Sequence, residues 1–129
     1  MKGLNMINQI FFFIAGTITF IWGIAHLFPT KSIVKGFGQI SIDNRNIVAM
    51  EWIIEGIALI FIGAIVIGSA VINSNDHLAV FNYLSSAFVL FILAIISLFT
   101  GYKVNYLPFK LCPFLFSSSA ILIILGLVL

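Results

Sequence analysis

Two glutamates lie one helical turn apart in an otherwise apolar stretch of the chain. Glu51 and Glu55 interrupt an apolar run over residues 47–72. A charged side chain at bilayer depth costs at least ~2.5 kcal/mol, so a pair on one helix indicates a functional polar site. The spacing of four residues puts both carboxylates on one helix face, which should point into a bundle. Such a pair favours a shared proton and can serve proton handling or hydrogen bonding to a ligand.

The composition indicates a membrane protein. The chain is 62% hydrophobic and 8% charged, whereas a soluble domain carries about 25% charged residues. A helix that crosses a bilayer needs about 20 apolar residues. Four stretches are long enough: residues 7–28, 47–72, 78–100 and 109–129. We therefore predict an all-α integral membrane protein, a four-transmembrane-helix bundle that forms a single domain over residues 1–129.

The ends of the second span carry recognisable signals. Asp43 and Asn44 are good N-cap residues for it. The connection before it contains Gly36 and Gly38, which argue against a long helix and leave a short interfacial helix or an extended segment. The first apolar run exceeds the 7–15 residues typical of a signal peptide, so we expect it to remain as a membrane anchor.

Basic residues are concentrated in the first and third connections. These two connections contain Lys31, Lys35, Arg45, Lys103 and Lys110, and the opposite side has Lys2. Lys and Arg favour cytoplasmic loops. We therefore predict that both connections are cytoplasmic and that both termini lie outside.

All four spans bring polar groups to the same end of the predicted bundle. At ~1.5 Å per residue, both glutamates lie in the half of their span that begins at the first connection. The first span ends near this level, the third leaves the membrane here, and the fourth enters. The candidate ligand-binding or proton-handling residues are Glu55, Glu51, His26, Trp22, Asn105 and Ser118. This asymmetry predicts one cavity that opens toward the cytoplasm or the inner leaflet.

Each candidate also has a structural interpretation. Glu55 can be a carboxylic acid hydrogen-bonded to a neighbouring helix. Glu51 can pair with Lys110 or Arg45. His26 can be a cation favoured at a helix C-terminus.

Other kinds of site have little support in the sequence. The single cysteine, Cys112, cannot form an internal disulfide, and the Glu-x-x-His signature of di-iron bundles is absent. We predict no metal and no cofactor. The small net charge of +2 and the dispersed basic residues argue against a nucleic-acid partner.

Glycines recur along the spans at helical spacing. Gly16 and Gly23 share one helix face, and Gly56 and Gly63 share another, because each pair is seven residues apart. Gly68 and Gly126 are further candidates for the same role. Small residues of this kind let membrane helices approach closely, within the bundle or against a partner.

The segment that starts at Glu55 resembles the second helix of DoxX-like membrane proteins. It reads Glu55-Gly56, then an apolar stretch that ends at Gly63. The end of the first span, with Gly23 and His26 before a proline, is similar to the same group. The resemblance covers the first two spans and implies a four-helix bundle of the bacterial inner membrane with a carboxylate at Glu55. Members of the group have been linked to quinone-coupled sulfur oxidation and to oxidative-stress complexes.

The leading functional hypothesis is a pocket for a lipid-soluble ligand such as a quinone or an isoprenoid-type lipid. Glu55 is the proton-handling or hydrogen-bonding group, and Glu51 and His26 tune it. Besides membrane lipid and this ligand, the partners considered are a second copy of the chain and another membrane protein. The alternatives are a proton-coupled small-molecule carrier and a non-catalytic subunit of a membrane redox complex. The sequence leaves open whether the chain is an enzyme, since two carboxylates on one helix are unlike an opposed catalytic pair.

Overall fold

Four long helices account for most of the residues that the computed structural model describes, which are residues 5–129. Each is long and apolar enough to cross a membrane. They are α1 (Met6–Leu27), α3 (Ile42–Asn73), α4 (His77–Phe99) and α5 (Leu107–Val128). A short helix, α2 (Thr30–Gly36), connects α1 to α3, and a 3-10 turn (Gly101–Lys103) follows α4. The prediction of an all-α four-helix membrane bundle is confirmed.

The second membrane helix begins earlier than its apolar run. Its N-cap is Ser41, whose Oγ accepts a hydrogen bond from the backbone N–H of Asn44 at 3.1 Å. The prediction of Asp43 or Asn44 as the cap was wrong, because both already lie in the first turn. An acidic side chain such as Asp43 is favoured there by the helix dipole.

The helices form a closed ring in the order α3, α1, α5, α4. The α1–α3 contact is the most extensive, followed by α4–α5 and α1–α5, and α3–α4 closes the ring. Neighbouring helices run antiparallel, so α1 and α4 end where α3 and α5 begin. We call this the basic end, because it holds all the Lys and Arg residues in the described part of the chain: Lys31, Lys35, Arg45, Lys103 and Lys110. Lys2, also used in the orientation argument, lies outside the described residues.

Close backbone contact joins α1 to α3. A Cβ atom added at Gly63 would lie 2.6 Å from the carbonyl oxygen of Gly16 and 2.6 Å from the backbone nitrogen of Phe20. A Cβ at Gly23 would lie 2.8 Å from the carbonyl oxygen of Gly56. The obstacle in both places is backbone, which can yield only if the helices separate. These glycines therefore set the distance between α1 and α3.

The two remaining predicted packing glycines differ from each other. A Cβ at Gly126 would meet the Phe12 ring at 2.6 Å, so this glycine accommodates a core aromatic. A Cβ at Gly68 would find no atom within 4 Å. Within this bundle, Gly68 is therefore not a packing position.

Hydrogen bonds between side chains and neighbouring helices fasten the opposite end of the bundle. Asn8 Nδ2 donates to the carbonyl of Gly126 at 2.9 Å, which joins α1 to α5. Asn82 Nδ2 donates to Ser69 Oγ at 3.0 Å, which joins α4 to α3. Polar side chains at this end of the bundle thus serve to join neighbouring helices.

The first prediction concerns the α1–α3 contact. Gly63→Ala should lower the free energy of unfolding in detergent micelles by about 1–3 kcal/mol, because the new methyl overlaps backbone of α1. Gly68→Ala on the same helix is the matched control. It should leave stability unchanged or raise it by up to about 1 kcal/mol, since alanine is the better helix former. Equal effects of the two substitutions would contradict the close contact.

Candidate functional site

A cavity of about 440 Å³ opens between the ends of α1, α3 and α5 at the basic end. We call it the His26 cavity. Its volume lies within the range typical of small-molecule sites. Its lining residues are Trp22, Ala25, His26, Phe28, Pro29, Trp52, Glu55, Tyr106, Pro108, Phe109 and Cys112. The lining is predominantly apolar and aromatic, with a few polar groups directed at one space.

His26 and Glu55 meet across the α1–α3 contact. The Nε2 atom of His26 lies 3.5 Å from Oε2 of Glu55. The imidazole is buried, whereas the Glu55 side chain is 43% exposed toward the cavity. The contact does not form a hydrogen bond, and among residues 5–129 the Nε2 atom of His26 has no hydrogen-bond partner. The imidazole and the carboxylate therefore stand side by side in the lining of the cavity.

Trp52 fixes the position of His26. The two rings stack with centroids 3.9 Å apart and an interplanar angle of 15°. The indole Nε1–H also donates to the backbone carbonyl of His26 at 2.6 Å. That carbonyl belongs to the last turn of α1, where carbonyls lack an intrahelical donor. Phe109 packs its ring edgewise against Trp52, with centroids 5.4 Å apart, and so braces it from α5.

Trp22 supplies a second buried nitrogen. Its Nε1 has no hydrogen-bond partner in the part of the chain that the structure describes. The indole lies near the thiol of Cys112, a weak acceptor, but does not make a well-formed hydrogen bond to it. The Cys112 thiol itself donates to the carbonyl of Pro108 at 3.3 Å. Within the described residues, the indole N–H is therefore an unpaired donor on a side chain that lines the cavity.

Among residues 5–129, the hydroxyl groups of Tyr83 and Ser119 are also buried without a hydrogen-bond partner. Neither residue lines the His26 cavity. Trp22 and His26 differ from them because both line one cavity that also contains a carboxylate.

The six predicted site residues divide into three groups. Glu55, His26 and Trp22 line the cavity. Glu51 is exposed and lines a neighbouring groove, which Glu55 and Trp52 also border. Asn105 and Ser118 are exposed and line neither space.

Ser118 shows why a residue on α5 was hard to place from the sequence. Its Oγ donates to the carbonyl of Phe114 at 2.6 Å, within its own helix. The buried serine is its neighbour, Ser119. Apolar residues surround α5 almost uniformly, so periodicity does not indicate which face is inside.

Glu51 does not pair with a cation, although the sequence left that open. Within residues 5–129, the contact of His26 with Glu55 is the one acid–base pair closer than 4 Å. Lys110 instead donates to the carbonyl of Tyr102 at 3.4 Å and lies over the Tyr102 ring. In the same range, no three His, Cys, Asp or Glu side chains form a group that could hold a metal ion.

Sequence reasoning did not assign the other lining residues to the cavity, among them Trp52, Phe109 and Cys112. Trp52 lies three residues before Glu55 and therefore on its helix face, a signal that could have identified it. Phe109 and Cys112 belong to α5, whose rotation the sequence does not determine. Their place in the cavity required knowledge of the helix order.

Comparisons of the chain with protein-family models, with curated proteins and with solved structures give no match. The resemblance of the first two spans to DoxX-like proteins therefore stays a prediction. The function of this chain has to be inferred from the geometry of the His26 cavity.

The second prediction separates the two tryptophans. Trp52→Phe should lower the free energy of unfolding by about 1 kcal/mol more than Trp22→Phe does. Both variants lose similar apolar area, but only Trp52 donates a hydrogen bond, and Trp22→Phe removes an unsatisfied buried donor. Chemical denaturation in matched micelles measures the difference. A larger loss for Trp22→Phe would show that the Trp52 hydrogen bond does not hold His26.

Proposed function

We propose that this membrane protein binds a lipid-soluble ligand in the His26 cavity. The ligand carries oxygen atoms on a ring or head group, as a quinone or an isoprenoid-type lipid does. One observation supports the proposal: Trp22 and His26 line the same cavity as Glu55, and each has a buried side-chain nitrogen for which residues 5–129 supply no hydrogen-bond partner.

The polar groups define what the ligand must offer. A buried donor without a partner costs about 1–3 kcal/mol, and a ligand acceptor would remove that cost. The indole of Trp22 is a donor only, so the atom opposite it must be an acceptor such as a carbonyl oxygen. The pair of His26 and Glu55 can donate or accept according to where its proton lies. It therefore suits either a carbonyl or a hydroxyl at the other end of a ring.

The rest of the lining suits an aromatic or conjugated ring. Trp52, Phe109 and Tyr106 present apolar ring surface to the cavity. At the rim, Phe28 is 83% exposed, which is favourable beside lipid acyl chains. An amphipathic ligand can thus place its head in the cavity and leave its tail in the bilayer.

The closed core beyond the cavity favours binding over transport. Leu59 lies one turn beyond Glu55 on α3, and Phe116 lies one turn beyond Cys112 on α5. Leu59 is fully buried and Phe116 is 3% exposed. A proton-coupled carrier needs access from both sides, and these side chains fill the route.

The glycines favour a self-contained bundle over an accessory subunit. A partner protein was one explanation for glycine-lined helix faces. The faces of Gly16, Gly23, Gly56 and Gly63 are instead used between α1 and α3. They are therefore not free to bind another chain.

For location, we propose the bacterial inner membrane, as the DoxX-like resemblance implies, with the basic end cytoplasmic and both termini outside. The collection of five Lys and Arg residues at one end supports this orientation. The His26 cavity then opens at the level of the inner leaflet.

The third prediction tests the ligand site by fluorescence. The chain has two tryptophans, Trp22 and Trp52, and both line the cavity. A decyl-substituted benzoquinone titrated into the protein in nanodiscs should quench their emission to saturation. Glu55→Gln should raise the apparent Kd about tenfold or more, because the quinone carbonyl accepts a hydrogen bond from the proton that His26 and Glu55 share, and glutamine cannot share that proton.

Glu51→Gln is the matched control for this titration. It removes a carboxylate from the same helix but outside the cavity, and should keep the wild-type Kd. Unsaturable quenching, or the same Kd for wild type and Glu55→Gln, would contradict a quinone site at Glu55. Native mass spectrometry of gently solubilised wild type and Glu55→Gln then decides whether an isoprenoid-type lipid is retained by the wild type alone.

A further inference from the structure

A second concavity lies at the basic end, between α2 and the start of α3. Its volume is about 530 Å³. We call it the α2 groove. Thr30, Lys31 and Lys35 line it from α2, and Arg45 and Asn46 line it from α3. It shares no lining residue with the His26 cavity.

Three cations converge on the α2 groove. Lys31 and Lys35 are one turn apart on α2 and so share a face, and Arg45 faces them from α3. No carboxylate lines the groove. Throughout residues 5–129, none of these three cations lies within 4 Å of an acidic group. The groove thus gathers three cations that form no ion pair with the described residues.

The surroundings of α2 place the groove at the level of lipid headgroups. The helix connects two membrane spans and has no buried residue. Large apolar side chains beside it are exposed: Phe28 before it, and Phe37 and Ile42 after it. Exposed apolar side chains next to basic ones are typical of a helix that lies in the membrane interface. Acyl chains can cover the apolar side chains while a headgroup occupies the groove.

We propose that the α2 groove binds the phosphate-bearing headgroup of an anionic phospholipid. Arg45 offers a planar guanidinium that can hold two phosphate oxygens, and the two lysines add point charges. Basic pockets at the cytoplasmic level of membrane helices are suited to such headgroups. The adjoining apolar side chains favour a lipid over a free anion. This site is independent of the ligand proposed for the His26 cavity.

Native mass spectrometry in mixed detergent–lipid micelles tests the groove. Wild type should retain phosphatidylglycerol in preference to phosphatidylcholine. Neutralisation of each cation should lower retention of phosphatidylglycerol about fivefold. The triple variant Lys31→Gln/Lys35→Gln/Arg45→Gln should therefore lose the preference. The variant Arg45→Lys keeps the charge but not the planar guanidinium, and it should lose part of the preference. All three side chains are exposed, and unchanged thermal stability verifies folding.

The matched control is Lys103→Gln/Lys110→Gln. These lysines lie at the same end of the bundle but outside the groove, and their loss should leave retention unchanged. An equal loss in the control would mean that general surface charge attracts the lipid and would overturn the proposal. A preference that survives in the triple variant would do the same. A large excess of inorganic phosphate should not displace the lipid. Displacement would show that the groove binds a free anion and would overturn the proposal.

Discussion

The close approach of the α1 and α3 backbones is the constraint on which the rest of the structure depends. Lipid offers membrane helices little hydrophobic driving force to associate, so close packing of small residues takes its place. Gly23 lies three residues before His26, and Gly56 follows Glu55 directly. The backbone contact that joins the helices therefore also sets the distance between imidazole and carboxylate. The same glycine spacing therefore determines both the packing of α1 against α3 and the distance between His26 and Glu55.

Several polar side chains at the two ends of the bundle differ in whether they find a hydrogen-bond partner. At the far end, Asn8 and Asn82 bind a neighbouring helix. At the basic end, Trp52 Nε1 donates to the carbonyl of His26, but His26 Nε2 and Trp22 Nε1 find no hydrogen-bond partner among the described residues. Burial without a partner is costly in a low-dielectric interior. The buried hydroxyl of Tyr83 bears the same cost, but His26 and Trp22 are distinguished because they line one cavity together with Glu55.

The sequence was sufficient for what depends on composition and local spacing. Run length and charge predicted four spans, and seven-residue spacing predicted the glycine faces of α1 and α3. The cost of placing a carboxylate in lipid predicted Glu55 as a site residue. The sequence does not predict features that depend on helix order and helix rotation. It predicts Ser118 as a site residue, whereas Ser119 is the buried serine. It also does not assign Trp52 to the site, although Trp52 lines the cavity. Nearly uniform apolarity leaves such rotations undetermined.

The most direct measurement is a solid-state NMR distance in lipid bilayers, between the imidazole nitrogen of His26 and the carboxyl carbon of Glu55. The chain has one other histidine, His77, and one other glutamate, Glu51, so a His77→Gln/Glu51→Gln background gives unambiguous labels. The structure predicts strong dipolar dephasing, in keeping with the 3.5 Å between Nε2 and Oε2. Absence of dephasing in the folded protein would contradict the meeting of α1 and α3 at this site.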